Sequence, residues 1–378
     1  MKILILGAGL VGGPMAADLA AEKQFTVSIA DINEDRLKQL ASRYTLKTVK
    51  MDLQDPVDVT RLCAMFDMVI NAVPGYFGFR TLEAVIRAGK NVVDIAFFIE
   101  DPFRLDALAK EKGVTAIMDC GVAPGMCNVL IGYANHLLDR TEKVVYYVGG
   151  LPVIRSWPWE YKAVFSPLDV IEEYTRPARF VENGMDVIRP ALSDPELMDF
   201  PGIGTLEAFN TDGLRSLIHT IKAPFMKEKT LRYPGHIEKI RLLREAGFLD
   251  TDTINIHGSE IKPIDLTAKL LFPKWKLEEG EADITVMKVI VEGMKDTHRI
   301  RYTWDLYDRY DPLTGIHSMA RTTGYTATVA LRMIANGLYD HKGMAVPEYI
   351  GRKPECVAYM LKGLRERGVV YHGQVEEF

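Results

Sequence analysis

Residues 3–12 read Ile-Leu-Ile-Leu-Gly7-Ala-Gly9-Leu10-Val11-Gly12; a helix-like stretch follows, then a second apolar run ending at Asp31. Strand, glycine turn, helix and acid-tipped strand, in this order, restrict the chain's start to a βαβ unit that cradles a dinucleotide. Gly7 permits the tight turn, Gly9 lets backbone approach a pyrophosphate, and Gly12 brings the helix close to the strand. Leu10 and Val11 complete the turn at the helix N-terminus, where phosphate charge is favoured. Asp31 is placed to accept hydrogen bonds from ribose hydroxyls.

The same acid bears on which dinucleotide is held. Asp31 is followed by Ile32 and Asn33, and the first basic residue, Arg36, comes only on the next helix. A 2′-phosphate would meet a carboxylate with no adjacent cation. NAD is therefore expected rather than NADP, with Arg36 folding back as the route by which NADP would be accepted.

With 378 residues, 48% hydrophobic and 26% charged, the chain has room for two globular domains. A net charge of −5 without a basic run argues against nucleic acid and anionic membrane surfaces as partners. The cysteines, Cys63, Cys120, Cys127 and Cys356, make no CxxC pair and no metal-ligand pattern, so no metal is expected and the setting reads as reducing and cytoplasmic. No apolar run reaches membrane-spanning length. The N-terminal apolar run is read as the first strand of the fold, not as a signal peptide.

Short apolar runs at 2–6, 26–30, 46–50, 68–72, 91–95 and 114–118 alternate with amphipathic stretches at 12–22, 35–43, 56–66, 78–88 and 103–112. This predicts an α/β fold of Rossmann type, a doubly wound parallel sheet of six strands with helices on both faces. The texture changes at Gly121-Val-Ala-Pro-Gly125. A helix is expected over 126–138, then longer alternating strands at 143–149, 283–292 and 298–307. These imply a second α+β domain with a largely antiparallel sheet. Residues 151–235, rich in Pro, Gly and aromatics, read as binding loops, and 236–246 and 265–271 as helices. Late helices at 319–335 and 354–367 are expected to pack back on the first domain. The division is therefore 1–121, with 319–378 returning to it, and 122–318. A homodimer is expected because one face of the second sheet would need cover.

Ligands of doubly wound sheets lie beyond the carboxyl ends of the strands. Asn71-Ala-Val73-Pro74-Gly75, Asp94 and Asp119 occupy those ends. Val73 and Pro74 form either a turn or a backbone wall beside the nicotinamide ribose. Asp94 and Asp119 each read as a helix cap or as a catalytic or substrate-orienting acid. In the second domain, Arg232 and His236 stand at the mouth of a helix, which suits a substrate carboxylate. Thr211 and Asp212 lie in a polar turn, and Arg321 opens a late helix as a further anion site. Trp157, Trp159 and Tyr161 either line a pocket or anchor a loop; His136 and His219 read as structural.

Taken in order, these segments resemble the saccharopine dehydrogenase superfamily. The matching stretches are Gly7-Ala-Gly-Leu-Val-Gly12, Val92-Val-Asp94, Gly121-Val-Ala-Pro-Gly125 with Asn128, and Gly149-Gly-Leu-Pro152. They continue with Tyr161-Lys-Ala-Val-Phe-Ser166, Pro177-Ala-Arg179, Thr230-Leu-Arg232-Tyr-Pro-Gly235 and Arg321-Thr-Thr-Gly-Tyr325. Ala123 stands where glutamate-forming saccharopine reductases usually carry an acid, and Val148 where they tend to carry cysteine. The pattern is more similar to the L-lysine 6-dehydrogenases. That resemblance implies a small amino-acid substrate whose side-chain amine carbon is oxidised by NAD, with ammonia released from the resulting imine. It also implies Arg232 on the α-carboxylate and Asp94 near the amine. The alternatives within the superfamily are saccharopine dehydrogenase and a carboxylated-polyamine dehydrogenase; outside it, a protein that binds NAD without turnover.

Overall fold

The apolar runs at the start of the chain are parallel strands. Lys2–Leu6, Thr26–Asp31, Lys47–Lys50, Met68–Asn71, Asn91–Asp94 and Thr115–Ile117 hydrogen-bond side by side. The sheet has a seventh member, Gly343–Ala345, which pairs parallel with Thr115–Ile117. Six strands were expected. The extra one is three residues long and lies far along the chain, too short to carry a period. In the computed structural model, residues 1–163, 167–278 and 280–378 are described.

The chain divides into two compact units, Met1–Leu137 with Ala320–Tyr371, and Leu138–Met319 with His372–Phe378. The helix Met126–Leu137, just past the glycine-rich turn, thus belongs with the first unit.

Within the first unit the late helices are tied to the first one by charge. Asp18, on the helix Gly12–Ala20, accepts Arg332 Nη1 and Arg367 Nε, each at 2.7 Å, and the Thr328 hydroxyl at 2.5 Å. Arg332 Nε also reaches Glu22 at 2.6 Å. Arg332 is buried. Its charge therefore depends on this network, and removing one partner would leave an uncompensated ion inside.

The second unit is built on a nine-stranded sheet, running Glu196–Phe200, Gly204–Asn210, Phe225–Arg232, Arg140–Pro152, Asp283–Lys295, His298–Arg309 and Tyr371–Glu377. Ala178–Glu182 and Met185–Arg189 hang off its third member. Most pairings are antiparallel; Phe225–Arg232 runs parallel to Arg140–Pro152. Five of these strands fall inside the stretch expected to be loops. Three of them are only five residues long, and Met185–Arg189 is almost wholly exposed, so there hydrophobic alternation is absent where it would have marked a strand. One face of the hairpin Asp283–Arg309 carries its own charge pairs, Lys288–Asp305 at 2.5 Å and Glu292–Arg301 at 2.8 Å.

Beneath the sheet, the helix His236–Glu245 and the helix Pro263–Trp275 bury a cluster of Tyr161, Tyr174, Phe209, Ile237, Ile240 and Trp275. At the far edge, Asp283 caps the helix Ser318–Ala335, accepting the Ser318 amide at 2.7 Å and the Met319 amide at 3.0 Å.

Candidate functional site

The glycine turn has the geometry its sequence demands. Gly7 takes φ of +102°, and a Cβ there would lie 2.5 Å from the Ala72 carbonyl oxygen. A Cβ on Gly12 would lie 2.0 Å from the Gly7 oxygen, so helix and turn touch backbone to backbone. Gly9 is different. Nothing stands within 4 Å of its would-be Cβ, which is the open approach a pyrophosphate needs. Leu10 is exposed and Val11 half-buried beside it. Leu10, Ile32, Tyr76 and Ile99 are all exposed apolar residues, and each follows the carboxyl end of a parallel strand, where a flat nucleotide would cover them.

Asp31 accepts the Ala8 amide at 2.6 Å and the Asn33 amide at 2.8 Å. Its carboxylate is thereby fixed at the strand tip where a ribose would lie. Arg36 does fold back. Its Nε donates to the Ala8 oxygen at 3.1 Å, so Asp31 and Arg36 grip opposite ends of one residue.

The remaining strand-end residues divide. Asp94 is fully buried, accepting the Asn71 amide at 2.6 Å and the Ala96 amide at 2.6 Å. These bonds tie it to the end of the neighbouring strand and to its own turn. Val73 packs in the hydrophobic core, whereas Pro74 is exposed and starts the helix Gly75–Arg87. Asp119 is buried with φ of +51°. A non-glycine residue held there carries backbone strain, which tends to concentrate at functional positions. Asn128 accepts the Gly125 amide at 3.2 Å and donates to Glu348 at 3.3 Å, holding the 121–125 turn. Arg321 belongs to this unit, donating to the Arg367 carbonyl oxygen at 3.1 Å.

In the second unit, four of the expected residues converge on one face. Glu228, Thr230 and Arg232 alternate along Phe225–Arg232 and so share that face. Thr211 bonds Glu228 at 2.5 Å and lies 2.8 Å from the Thr230 hydroxyl. Asp212 beside it receives a forked pair from Arg179, at 2.8 and 2.9 Å. Arg232 is 2% exposed. Its nitrogens reach Glu173 at 2.7 Å, the Leu231 oxygen at 3.0 Å and the Tyr174 hydroxyl at 3.2 Å, with the guanidinium 4.5 Å above the Tyr161 ring. The cation expected to await a substrate carboxylate is already paired.

His236 extends the chain of bonds. Its Nδ1 is 2.8 Å from the Trp159 carbonyl oxygen and its Nε2 2.9 Å from the Tyr174 hydroxyl. Nδ1 must donate to a carbonyl, so Nε2 accepts, and Tyr174 donates to it while accepting from Arg232. Burial, helped by the nearby Arg232 charge, pushes the imidazole down to about 3. His236 is therefore a neutral, fully buried link and has no positive charge to offer an anion. Burial pushes the Tyr174 phenol up to about 12 and the Glu228 carboxyl up to about 8.

Glu228, Glu173 and Tyr174 were not singled out from the sequence, and Arg179 only as part of a family stretch. The available signal was the alternation Glu228-x-Thr230-x-Arg232, three polar side chains on one face of an otherwise buried strand. Trp157 is exposed and Trp159 packs edge-on to Trp275 at 6.0 Å. His136 and His219 are both exposed. Val164, Phe165 and Ser166 of the Tyr-Lys-Ala-Val-Phe-Ser stretch lie outside the described residues. No cluster of His, Cys, Asp and Glu among the described residues could hold a metal, and no helix among them is long and apolar enough to cross a membrane.

Residues 3–117 match the saccharopine dehydrogenase NADP binding domain, and residues 121–369 match the saccharopine dehydrogenase C-terminal domain. The chain belongs to the saccharopine dehydrogenase family. Residues 3–117, the N-terminal part of its first unit, are that family's nicotinamide-dinucleotide-binding domain. The mitochondrial alpha-aminoadipic semialdehyde synthase of Mus musculus is 23% identical, with 99% of this chain but 48% of the mouse protein aligned. The chain spans about half the length of such relatives. Two others align end to end. The carboxyaminopropylagmatine dehydrogenase of Synechocystis is 24% identical over 98% of this chain and 97% of its own. The NADP(+), L-glutamate-forming saccharopine dehydrogenase of Saccharomyces cerevisiae is 23% identical over 98% of each. The solved apo structure of the histidine-tagged L-Glu-forming saccharopine dehydrogenase from S. cerevisiae superposes with a TM-score of 0.82 at 19% identity, covering 99% of both chains. This family member thus has the same fold.

Proposed function

We propose that this protein is a nicotinamide-dependent dehydrogenase that oxidises the carbon bearing an aliphatic amine, with L-lysine as substrate and NAD as cofactor. Lysine 6-dehydrogenase chemistry follows: the amine carbon loses hydride, the imine is hydrolysed, and ammonia leaves with formation of the semialdehyde.

One observation carries the choice of substrate. On the polar face of Phe225–Arg232, the cations Arg232 and Arg179 are each matched to a carboxylate, Glu173 and Asp212, while Glu228 has no ion-pair partner among the described residues. A site so balanced is short of positive charge. It suits an ammonium far better than saccharopine, which brings three carboxylates to be desolvated. The same balance favours a carboxylated polyamine as the second reading, supported by the end-to-end alignment with the carboxyaminopropylagmatine dehydrogenase.

The cofactor preference rests on Asp31. Its carboxylate, fixed by the Ala8 and Asn33 amides, accepts from ribose hydroxyls and repels a 2′-phosphate. Bound nicotinamide supplies the hydride acceptor. The protein binds the dinucleotide over Gly9, braces the strand ends through Asn71 and Asp94, and strips water from the substrate amine.

The test is direct. The protein is incubated with NAD or NADP and, separately, lysine, saccharopine and a carboxylated polyamine, while reduced cofactor and ammonia are followed. Lysine-dependent NADH with equimolar ammonia supports the proposal, and reduction with saccharopine alone overturns it. Reduction with the polyamine alone selects the second reading.

A further inference from the structure

Glu228 sits in the middle of the strand Phe225–Arg232, with Thr230 and Arg232 on its face of the sheet. Its carboxyl accepts the Thr211 hydroxyl at 2.5 Å and the Gly213 amide at 3.1 Å. A Cβ on Gly213 would lie 2.4 Å from the Glu228 carboxyl carbon, so only glycine lets that amide come so close. The charged groups with the largest effect on it among the described residues add no counter-charge. Glu173, from the helix Pro167–Thr175, and Asp212, beside Thr211, both repel it. Arg232 is paired with Glu173 and Arg179 with Asp212. Tyr146, in register with Glu228 on the neighbouring strand, spends its hydroxyl on the Gly213 carbonyl oxygen at 2.6 Å. Lys227 and Lys229 alternate to the other face and pair with Glu182 and Glu196.

A structural carboxylate would be expected to have a cation, or to be replaced by an amide or a hydroxyl that satisfies the same two donors. Glu228 is instead 5% exposed, without an ion-pair partner among the described residues, and joined through Thr211 to a second hydroxyl, that of Thr230. This arrangement stores a proton. Burial favours its protonated form at neutral pH; an arriving ammonium reverses that preference, so the stored proton leaves to solvent and the carboxylate left behind can accept the next one.

We propose that Glu228 is a positioning residue that takes up the proton of the substrate ammonium by way of the Thr211 hydroxyl. The inference rests on the amine-oxidising reading above and names the group that readies the amine. The ammonium N–H bond breaks and its electron pair stays on nitrogen as a lone pair. The proton joins the Thr211 oxygen as the hydroxyl's own proton passes to Glu228. The neutral amine can then expel hydride from its adjacent carbon to the nicotinamide, which the ammonium cannot.

The experiment compares the full chain with Glu228→Gln, which keeps an acceptor for Thr211 and Gly213, and with Thr211→Val, which keeps Glu228 but removes the relay. Lysine is titrated calorimetrically at pH 7, without nicotinamide, in two buffers of different ionisation heat. The unsubstituted protein releases protons as the ammonium binds, and Glu228→Gln does not. Equal proton release, or no lysine binding at all, overturns the proposal. With whichever amine is turned over, kcat should fall on the order of 10²-fold or more in both variants. The acidic limb of the kcat/KM profile should vanish in Glu228→Gln. An unmoved limb with kcat within about 3-fold overturns it too. If no amine is oxidised by any form while lysine still binds with proton release, the dehydrogenase reading fails and the proton site stands.

Discussion

Arg232 and Glu173 are joined at 2.7 Å in the second unit, with Arg232 at 2% exposure. Removing the guanidinium would strand a carboxylate that burial already pushes above its ordinary range, restrained chiefly by Arg232. It would also take a donor from Tyr174 and from the Leu231 carbonyl. Arg232→Ala should therefore lower unfolding stability by about 3–5 kcal/mol, the cost of breaking a buried pair from one side. Chemical denaturation measures it. A variant of undiminished stability whose KM for the amino acid rises 10-fold or more would return Arg232 to the carboxylate role inferred from sequence.

Two glycines of the same turn should fail in different ways. At Gly12 a methyl group would collide with the Gly7 oxygen at 2.0 Å, whereas at Gly9 it meets open space. Gly12→Ala is expected to cost about 1–3 kcal/mol of stability as backbone is forced apart. Gly9→Ala should leave the thermal midpoint nearly unchanged yet weaken dinucleotide binding on the order of 10-fold, because the methyl occupies the pyrophosphate's path. Thermal unfolding and fluorescence titration with NADH separate the two. Equal stability losses would show that Gly9 is not held open for a ligand.

Much of the first unit was legible because its signals are local. A buried parallel strand flanked by helices writes itself as an apolar run, and the glycine spacing, Asp31 included, is a contiguous motif. The strand Gly343–Ala345 was not legible, since it is recruited by pairing with Thr115–Ile117 from more than two hundred residues away. Glu173 and Glu228 were hidden for a similar reason. A glutamate on a helix or a strand reads as solvated surface until the fold shows what it faces. Arg232 was legible by type but its pairing with Glu173 was not, because sequence shows a cation without showing its partner.

Asp31 and Arg36 hold the amide and the carbonyl of Ala8, at 2.6 and 3.1 Å, and under the proposed NAD preference they pull cofactor choice in opposite directions. Asp31→Ala removes the acceptor for ribose hydroxyls and the charge that repels a 2′-phosphate. The ratio of NADP to NAD affinity should rise about 10-fold or more, as expected for losing a charged hydrogen bond. Arg36→Ala should move that ratio the other way by removing the cation nearest the 2′ position. Dissociation constants for both reduced cofactors provide the measurement. An Asp31→Ala protein with an unchanged ratio would show that the acid fixes only the turn.

His236 gives the second unit a defined acid limit. Its imidazole is held down to about 3 against an ordinary 6.5, first by burial and next by the Arg232 charge. A group with a depressed folded pKa binds protons more readily when unfolded, so its contribution is intact above about 6.5 and erodes as pH falls toward 3. The slope is about 1.4 kcal/mol per pH unit within that window. Glu228 works the other way, since its raised folded pKa makes its contribution largest in acid and smaller as pH climbs toward 8. His236→Gln keeps polar atoms near Tyr174 and Trp159 but cannot titrate. The variant should be less stable than the natural protein at pH 7, and the gap should narrow steadily between pH 6.5 and 4.5. Urea midpoints at half-unit pH intervals would reveal the convergence. Parallel curves would mean that the Tyr174–His236 link opens to solvent before the chain unfolds.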